Sequence, residues 1–297
     1  MASLDLTTLL DSWTLHLRAE RKSPETLKSY TEGVRQFLAW TDREDTPPVL
    51  NRATVNGFVA ALLEAGAEAS TARARQLSLR RFSAWLAEEE EIPRDELLGL
   101  RPPKLDQQVV ERLSDDQCRA LIAACRGKEF RDRRDEALCR FMLEAIVRAG
   151  EVVGMTTGDV DLTAGSAVIR KGKGGKGRRV PFGPQTGRAI DRYLRLRRTH
   201  RLADTPPLWL GDRGKGFTYS ALYLTLKYRA ELAGIENFHP HLTRHTAAQR
   251  WLDAEGSEGS LMAIAGWTRR DMLDRYTRAT AAQRAAEEAR RLNLGDL

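Results

Sequence analysis

The amino-acid sequence predicts a mainly α-helical protein of two domains, the second of which is α+β because it contains a small antiparallel hairpin. Three observations support this fold class. The chain has 297 residues, more than a single domain of about 100 to 200 residues requires. Apolar residues recur at helical spacing in several long segments. One segment, GSAVIRKGKGGKGRRVPFG, instead alternates around a glycine-rich centre, as hairpins do.

The first hundred residues contain the signals of several helices. A helix signal begins within the first ten residues. In KSPETLKSYTEGVRQFLAW, Ser23 is a suitable N-cap and Pro24 takes the first helical position. NRATVNGFVAALLEAG continues the helical pattern more weakly. STARARQLSLRRFSAWLAEEEE combines an apolar stripe with a second face, on which we expect arginines and Gln76.

The segment IPRDELLGLRPPKLDQQVVERL predicts a boundary between two domains. It contains prolines, is polar and lacks sustained periodicity, which is typical of an interdomain linker. We therefore predict a first domain at residues 1–103, a linker at 104–112 and a second domain at 113–297.

The second domain also begins with helices. In LSDDQCRALIAACRG, Ser114 is a suitable N-cap, and two aspartates follow in the first turn. DEALCRFMLEAIV then predicts a long apolar helix that ends at Arg148. The predicted hairpin follows, and six of the residues 170–179 are basic while none is acidic. Such a tip is typical of contact with a phosphate backbone, although a solvated turn is the alternative.

Composition narrows the class of protein and of partner. The formal net charge is +7, with 48 basic and 41 acidic residues, which favours a phosphate-bearing partner such as nucleic acid. A generally basic, arginine-rich proteome is the alternative. The three cysteines lack the spacing of a zinc site or a disulfide framework, so we expect buried reduced thiols. No segment is as long and apolar as a membrane span, and we expect a cytoplasmic protein.

Four short segments of the second domain contain residues suited to phosphate chemistry. They are AIVRAGEVVGM with Arg148 and Glu151, the hairpin with Lys173, HLTRH at 241–245, and AGWTRRDMLDRY with Trp267 and Tyr276. Each has an ordinary explanation on its own: a surface arginine, a solvated turn, a core histidine or a packing tyrosine. Only their combination and order indicate a shared site.

Together these segments resemble the tyrosine recombinase family, also called the phage integrase family, over essentially the whole chain. The family patterns T-G-L-R-x-S/G-E, G-K-G-x-K-x-R-x-V-P and H-x-L-R-H correspond to AIVRAGE, GKGGKGRRVP and HLTRH. The last pattern, L-G-H with a tyrosine nine residues after the histidine, corresponds to AGWTRRDMLDRY. Two departures from these family patterns concern the site. Ile146 replaces the usual glycine, and Trp267 replaces the usual histidine while keeping a hydrogen-bond donor.

The resemblance implies an enzyme that cuts and rejoins DNA without a metal or another cofactor. Tyr276 would be the nucleophile that forms a 3′-phosphotyrosyl bond. Arg148 and Arg244 would stabilise the charge on the phosphate. Lys173 is the expected general acid, with Lys171 and Lys176 as alternatives on the same tip. His241 would handle a proton at the tyrosine or orient the phosphate, Trp267 would donate a hydrogen bond, and Glu151 would orient its neighbours.

The resemblance also implies how DNA is held. An N-terminal helical core-binding (SAM-like) domain and a catalytic domain would clamp duplex DNA that contains inverted-repeat core attachment sites, without a further arm-binding domain. The expected contacts, mostly with phosphates, are Lys22, Arg73, Arg75, Arg80, Arg81, Lys171, Lys176 and Arg178. The final helix, in TAAQRAAEEARRLNLGDL, would join four protomers on two sites, or else pack on its own domain.

The expected biological role is site-specific recombination through a Holliday junction. Integration or excision of a phage or mobile element, with an excision or directionality factor as a further partner, is preferred over Xer-like resolution of chromosome dimers. This preference depends on Trp267 and the divergent AIVRAGE. Two alternative functions are that of a catalytically silent DNA-binding protein and that of a type IB topoisomerase, which would relax DNA of any sequence.

Overall fold

The computed structural model describes residues 5–105, 110–170 and 177–277, together with 286 and 289–291. The chain divides into two compact units, Met1–Gln108 and Val109–Leu297. This division lies inside the segment 104–112, and the domain bounds given above stay a prediction. The first unit contains helices α1 (Leu6–Ala19), α2 (Pro24–Arg43), α3 (Arg52–Glu64) and α4 (Ala69–Glu88).

Local capping and an apolar core explain the first unit. The Ser23 hydroxyl accepts the backbone N–H of Thr26 at 3.2 Å, which confirms the predicted start of α2. The core is rich in aromatic rings, and Phe37 and Phe82 are completely buried. The prediction for Gln76 is wrong, because this residue is buried on α4 and its amide donates to the carbonyl of Arg101 at 3.2 Å.

The second unit combines helices with one small sheet. Its elements are α5 (Asp115–Ala123), α6 (Phe130–Glu144), α7 (Ala149–Val153), β1 (Val160–Asp161), β2 (Ser166–Ile169), β3 (Arg178–Pro181), α8 (Pro184–Arg197), α9 (Tyr219–Leu232), α10 (Pro240–Asp253), α11 (Glu258–Ala265) and α12 (Asp271–Thr277). Its main core is formed chiefly by α6, α8, β2 and β3. The mainly helical fold class with a small antiparallel sheet is confirmed.

The three strands form an antiparallel sheet in the order β1-β2-β3. Ile169 pairs with Arg178 at the end of the predicted hairpin. The predicted site residues on its tip, Lys171, Lys173 and Lys176, lie outside the described residues, as does most of the predicted final helix. No helix within the described ranges is long and apolar enough to cross a membrane.

The helix α6 ends earlier than the sequence predicts. It stops at Glu144, and Ile146 has a φ of 54°, in the left-handed region. A right-handed helix cannot continue through this conformation. Arg148 therefore does not end the apolar helix as predicted, but is the N-cap of α7.

A second, smaller apolar cluster of this unit surrounds the predicted nucleophile. It contains Ile146, Ala247, Ala248, Leu252, Leu261, Ala265, Trp267, Leu273 and Tyr276. These residues come from the turn after α6, from α10, α11 and α12, and, for Trp267, from the turn between α11 and α12. The cluster therefore joins two of the four predicted motifs, AIVRAGEVVGM and AGWTRRDMLDRY. All three cysteines of the chain are buried free thiols.

Candidate active site

Arg148 is oriented by Glu151, one turn further along α7. The carboxylate accepts the backbone N–H of Arg148 at 2.8 Å and its Nη1 at 2.9 Å. The Arg148 side chain keeps 28% of its surface exposed. It lines a cleft together with Tyr219, Pro240 and His241. The predicted orienting contact of Glu151 is thus visible, and Arg148 remains accessible to a ligand.

Arg178, on strand β3 of the sheet, donates hydrogen bonds to Glu151. Its two terminal nitrogens donate to the two carboxylate oxygens of Glu151 at 2.9 and 2.8 Å, and its Nε donates to the carbonyl of Ile264 at 2.5 Å. Burial alone would raise the pKa of Glu151, but the hydrogen bonds from Arg178 and Arg148 hold it below its usual value.

The partners of Arg178 differ from those predicted. The sequence predicts a DNA contact, whereas this side chain is only 10% exposed and its guanidinium nitrogens are engaged by protein oxygens. Strand β3 places it next to α11, where a methyl group added at Gly266 would lie 3.2 Å from its Cδ. The structure therefore gives Arg178 the position of a residue that orients Glu151 and, through it, Arg148.

Arg244 is one of the most deeply buried cations of the chain. Only 2% of its surface is exposed, and its terminal nitrogens donate to the backbone carbonyls of Ile146 at 2.5 Å and Ala265 at 2.8 Å. Burial and the charge of Arg148 lower its pKa to about 10. No carboxylate forms an ion pair with Arg244 within the part of the chain that the structure describes.

Ile146, which stands where the family pattern usually has glycine, has a φ of 54°, in the left-handed region. A β-branched residue is strained in this conformation, by about 1–2 kcal/mol. Its side chain is buried in the cluster around Tyr276, and this burial offsets the strain. The turn directs the Ile146 carbonyl towards Arg244. Ile146 thus adds apolar packing beneath the site.

Tyr276 lies on α12 and stacks against Trp267. Gly266, with a φ of 66°, ends α11 and places Trp267 directly after it. The two rings have centroids 5.1 Å apart, and the guanidinium carbon of Arg244 lies 5.6 Å from the Trp267 ring. Burial raises the pKa of Tyr276 to about 12, against the opposing charges of Arg244 and Arg275. The phenol therefore keeps its proton at neutral pH.

Two histidines of HLTRH take different positions on α10. His241 lies exposed at the cleft with Arg148. Desolvation of the part of its ring that faces the protein lowers its pKa, and the charge of Arg244 is the next largest cause. His245, one turn later, places its Nδ1 2.5 Å from the hydroxyl oxygen of Tyr276. His245 is not among the residues predicted from the sequence, although it lies in the same motif, one turn after His241.

Of the predicted DNA contacts that the structure describes, all except Arg178 lie in the first unit. Lys22 is exposed and pairs with Glu20 at 3.4 Å. On α4, Arg73 and Arg81 are exposed while Arg75 and Arg80 are half-buried. These side chains are accessible on their own unit, and their role in DNA binding stays a prediction. Among the described residues, no group of three histidine, cysteine, aspartate or glutamate side chains could hold a metal ion.

Comparison with known proteins identifies the family. The model of the phage integrase family matches residues 111–283, and that of the phage integrase N-terminal SAM-like domain matches residues 10–90. The tyrosine recombinase XerC of Azotobacter vinelandii is 30% identical over 261 residues, which cover 86% of each chain. XerC of Pseudomonas aeruginosa PAO1 is 29% identical over 86% of this chain and 85% of its own.

Solved structures share the fold. A Tn1549 transposon integrase in complex with circular intermediate DNA has a TM-score of 0.71 and 15% identity, over 90% of this chain and 94% of its own. A lambda integrase dimer bound to a COC′ core site has a TM-score of 0.69 and 14% identity, over 91% and 94%. The crystal structure of XerA recombinase has a TM-score of 0.53 and 24% identity, over 91% and 93%.

The fold and the site thus define the class of protein: a mainly helical recombinase of two domains, in which arginines, histidines and a tyrosine lie close together. The chain belongs to the phage integrase family. It is a tyrosine recombinase, an enzyme of site-specific DNA recombination, and the predicted family and enzyme class are confirmed.

Proposed function

We propose that this recombinase cuts and rejoins duplex DNA with Tyr276 as the nucleophile. One observation carries this assignment: Arg244 is a buried cation bonded to backbone carbonyls, beside Arg148 and the Trp267–Tyr276 stack. Burying a charge is costly unless an anion neutralises it. A DNA phosphodiester is an anion that would both neutralise Arg244 and offer a phosphorus atom to the tyrosine.

The side chains suit an in-line displacement at that phosphorus. The Tyr276 oxygen forms a bond to phosphorus, and the bond to the 5′ oxygen of the neighbouring sugar breaks. Arg148 and Arg244 donate hydrogen bonds to the nonbridging oxygens, on which negative charge increases in the transition state. The product is a 3′-phosphotyrosyl bond that preserves the phosphodiester energy. Attack by a second 5′ hydroxyl rejoins the strand and, on paired sites, leads through a Holliday junction.

The remaining roles follow from position and chemistry. Lys173 is our candidate for the general acid that protonates the leaving 5′ oxygen, with Lys171 and Lys176 as alternatives. His241, exposed beside Arg148, suits a hydrogen bond to the phosphate. Trp267 would donate through its indole N–H. Glu151 supports these groups by fixing Arg148.

Duplex DNA with inverted-repeat core sites is the proposed partner. Two structural neighbours, the Tn1549 transposon integrase and lambda integrase, are described in complex with DNA. The exposed cations of the first unit would contact phosphates and so position the protein more than they specify sequence. We further propose a tetramer on two paired sites, joined by the C-terminal segment, and a directionality factor where excision occurs.

Two biological roles have support. Integration or excision of a phage or mobile element is our first proposal, because Trp267 and AIVRAGE diverge from the usual motifs. Xer-like resolution of chromosome dimers is the second, and the XerC relatives, which match over 86% of both chains, favour it. Complementation of a resolvase-deficient bacterial strain tests the second role. Recombination between the two ends of DNA that flanks the coding region tests the first.

The chemistry is tested with nicked suicide substrates made from the flanking DNA. The wild-type protein should form a covalent protein–DNA adduct, and Tyr276→Phe should form none while still binding DNA. Tyr228→Phe, which alters an exposed tyrosine on α9, is a matched control and should behave as wild type. Absence of an adduct on DNA that the protein binds specifically would favour the silent DNA-binding protein. Relaxation of plasmids without site preference would favour a topoisomerase.

A further inference from the structure

The hydroxyl group of Tyr276 has a partner that the proposed function does not yet use. The Nδ1 of His245 lies 2.5 Å from the phenolic oxygen, and the two ring centroids are 5.5 Å apart. The Tyr276 ring also stacks on Trp267. Because the phenol is fixed by both contacts, the hydrogen bond is a defined feature of the site. His241 forms no such bond to Tyr276 in the described part of the chain.

The proton of this hydrogen bond belongs to the tyrosine at neutral pH. Burial raises the pKa of Tyr276 to about 12. Burial lowers the pKa of His245 to about 4, and the neighbouring charges of His241, His239, Arg244 and Arg275 act in the same direction. The imidazole is therefore neutral. A neutral imidazole can accept a hydrogen bond at one nitrogen, so the phenol donates and Nδ1 accepts.

We propose that His245 is the catalytic residue that accepts the phenolic proton of Tyr276 during strand cleavage, and this inference rests on the proposed function of Tyr276. The O–H bond of the phenol breaks as its oxygen bonds to phosphorus, and the proton moves to Nδ1. The bond from phosphorus to the 5′ oxygen breaks, and that oxygen takes a proton from the general acid of the hairpin. In rejoining, His245 returns its proton to the phenolic oxygen.

The charge around the site makes this proton transfer depend on DNA. Without DNA, the cations near His245 oppose a further positive charge on its ring. A phosphodiester bound by Arg148 and Arg244 brings negative charge to the same place, which favours an imidazolium. The base thus becomes effective when its substrate is bound. The nucleophile stays a protonated, unreactive phenol in the free protein.

The geometry separates the roles of the two histidines. His241 is exposed in the cleft that Arg148 lines, where a phosphate oxygen can reach it. His245 is half-buried and contacts the reacting oxygen of the tyrosine directly. The rings lie edge to face with centroids 4.4 Å apart. Proton acceptance at the tyrosine is therefore assigned to His245, and His241 is left to the phosphate.

The first test compares single-turnover cleavage of the suicide substrate by the wild type and His245→Gln. Removal of a general base should lower the rate of adduct formation by about 10²-fold or more. His16→Gln, at a histidine on α1 in the first unit, is the matched control and should cleave at the wild-type rate. Gel-shift and thermal-melting measurements identify a folded, DNA-binding variant, and His245→Asn replaces His245→Gln if the latter does not fold.

The second test distinguishes a base from a residue that only positions the tyrosine. Tyr276 is replaced by 3,5-difluorotyrosine, whose phenol is more acidic and needs less help to lose its proton. In this background the loss caused by His245→Gln should shrink to about tenfold or less. An equal loss in both backgrounds would overturn the proton-accepting role. Faster cleavage by His245→Gln would also overturn it, because the contact would then restrain the nucleophile.

The outcomes also separate this inference from the proposed function. If the wild type forms no Tyr276-dependent adduct, the proposed function fails and this inference fails with it. If the wild type forms the adduct and His245→Gln forms it equally fast, only the inference fails.

Discussion

Two pairs of arginines in the second unit differ in how their charges are balanced. Arg134 and Arg229 both bond to Asp135, which is completely buried. Arg229 also pairs with Asp132 at 2.9 Å, and Arg134 pairs with Asp212 at 3.0 Å. Each guanidinium of this pair therefore has two carboxylate partners. The group is neutralised within the protein and ties α6 to α9 and to the loop before α9.

Arg148 and Arg244 are arranged differently. Arg148 binds the carboxylate of Glu151, which Arg178 also binds, and Arg244 bonds only to backbone carbonyls in the described part of the chain. Burial lowers the pKa of Arg244 to about 10. Burial acts on Arg229 in the same direction, but its bonds to Asp132 and Asp135 raise its pKa instead. Burial alone therefore does not distinguish a structural arginine from one that could bind an anion, whereas the supply of negative charge does.

The largest expected effect concerns the structural pair. Arg229→Met leaves Asp135 buried with one cation fewer, and we expect a loss of about 3–5 kcal/mol in the free energy of unfolding. Urea denaturation measures this loss. Arg131→Met, which breaks an exposed pair with Asp212, should cost no more than about 1 kcal/mol. Equal costs for the two variants would contradict the structural role of the Arg134–Arg229 pair.

Arg148 and Arg244, the pair proposed to bind the phosphate, should show the reverse behaviour. Arg244→Met should lower the cleavage rate by about 10²–10³-fold, as the loss of an oriented donor does. The stability should change by only about 1 kcal/mol, because relief of the buried charge offsets the two lost hydrogen bonds. The rate is measured on the suicide substrate and the stability by urea denaturation. Arg250→Met, on the same helix but exposed and paired with Asp115, should leave both unchanged.

A smaller effect is expected for Arg178, which binds Glu151 and so supports Arg148. Arg178→Met removes the hydrogen bonds that fix the Glu151 carboxylate, so that Glu151 no longer holds Arg148 in one position. We therefore expect cleavage to slow by about tenfold while DNA binding is kept. The neighbouring Arg179→Met removes a hydrogen bond to Ser166 instead and should have the wild-type cleavage rate. If Arg178→Met weakens DNA binding without slowing cleavage of bound DNA, the predicted DNA contact would replace the orienting role.

The smallest expected effect is a pH dependence of stability. The pKa of His245 is about 4 in the folded chain against 6.5 for an ordinary histidine. Between these pH values the unfolded chain binds a proton that the folded chain does not. The free energy of unfolding therefore falls as the pH drops from 6.5 to 4, on the order of 1–2 kcal/mol after allowance for solvent. Relative to His245→Gln, the wild type should lose stability between pH 7 and pH 4.5. A constant difference would contradict a neutral His245.

Local signals predicted much of the fold and most of the site. Ser23 with Pro24 marked the start of α2, and Ser114 marked that of α5. Both are caps that act within one turn of the chain. Alternation around a glycine-rich centre predicted the pairing of β2 with β3. The motif positions pointed to Arg148, Arg244 and Tyr276 because chemistry requires those residue types, whatever their surroundings.

Other features depended on contacts distant in sequence. The early end of α6 at Glu144, the burial of Gln76 and the partners of Arg178 all differ from the sequence prediction. In each case a residue found its partner 25 to 86 positions away or took a backbone conformation that its own type disfavours. Propensity is a weak guide wherever tertiary packing supplies the larger free energy.

By itself, the sequence determined the family, the mainly helical class and the identity of the candidate nucleophile, since these follow from residue types and spacing. Only the tertiary structure decided which histidine contacts Tyr276, and that Arg178 supports Glu151. It also decided that Arg244 is a buried cation without a carboxylate in the described part of the chain. The physical reason is that charge balance and hydrogen-bond pairing are properties of neighbours in space, and α10, β3 and α12 become neighbours only in the folded chain.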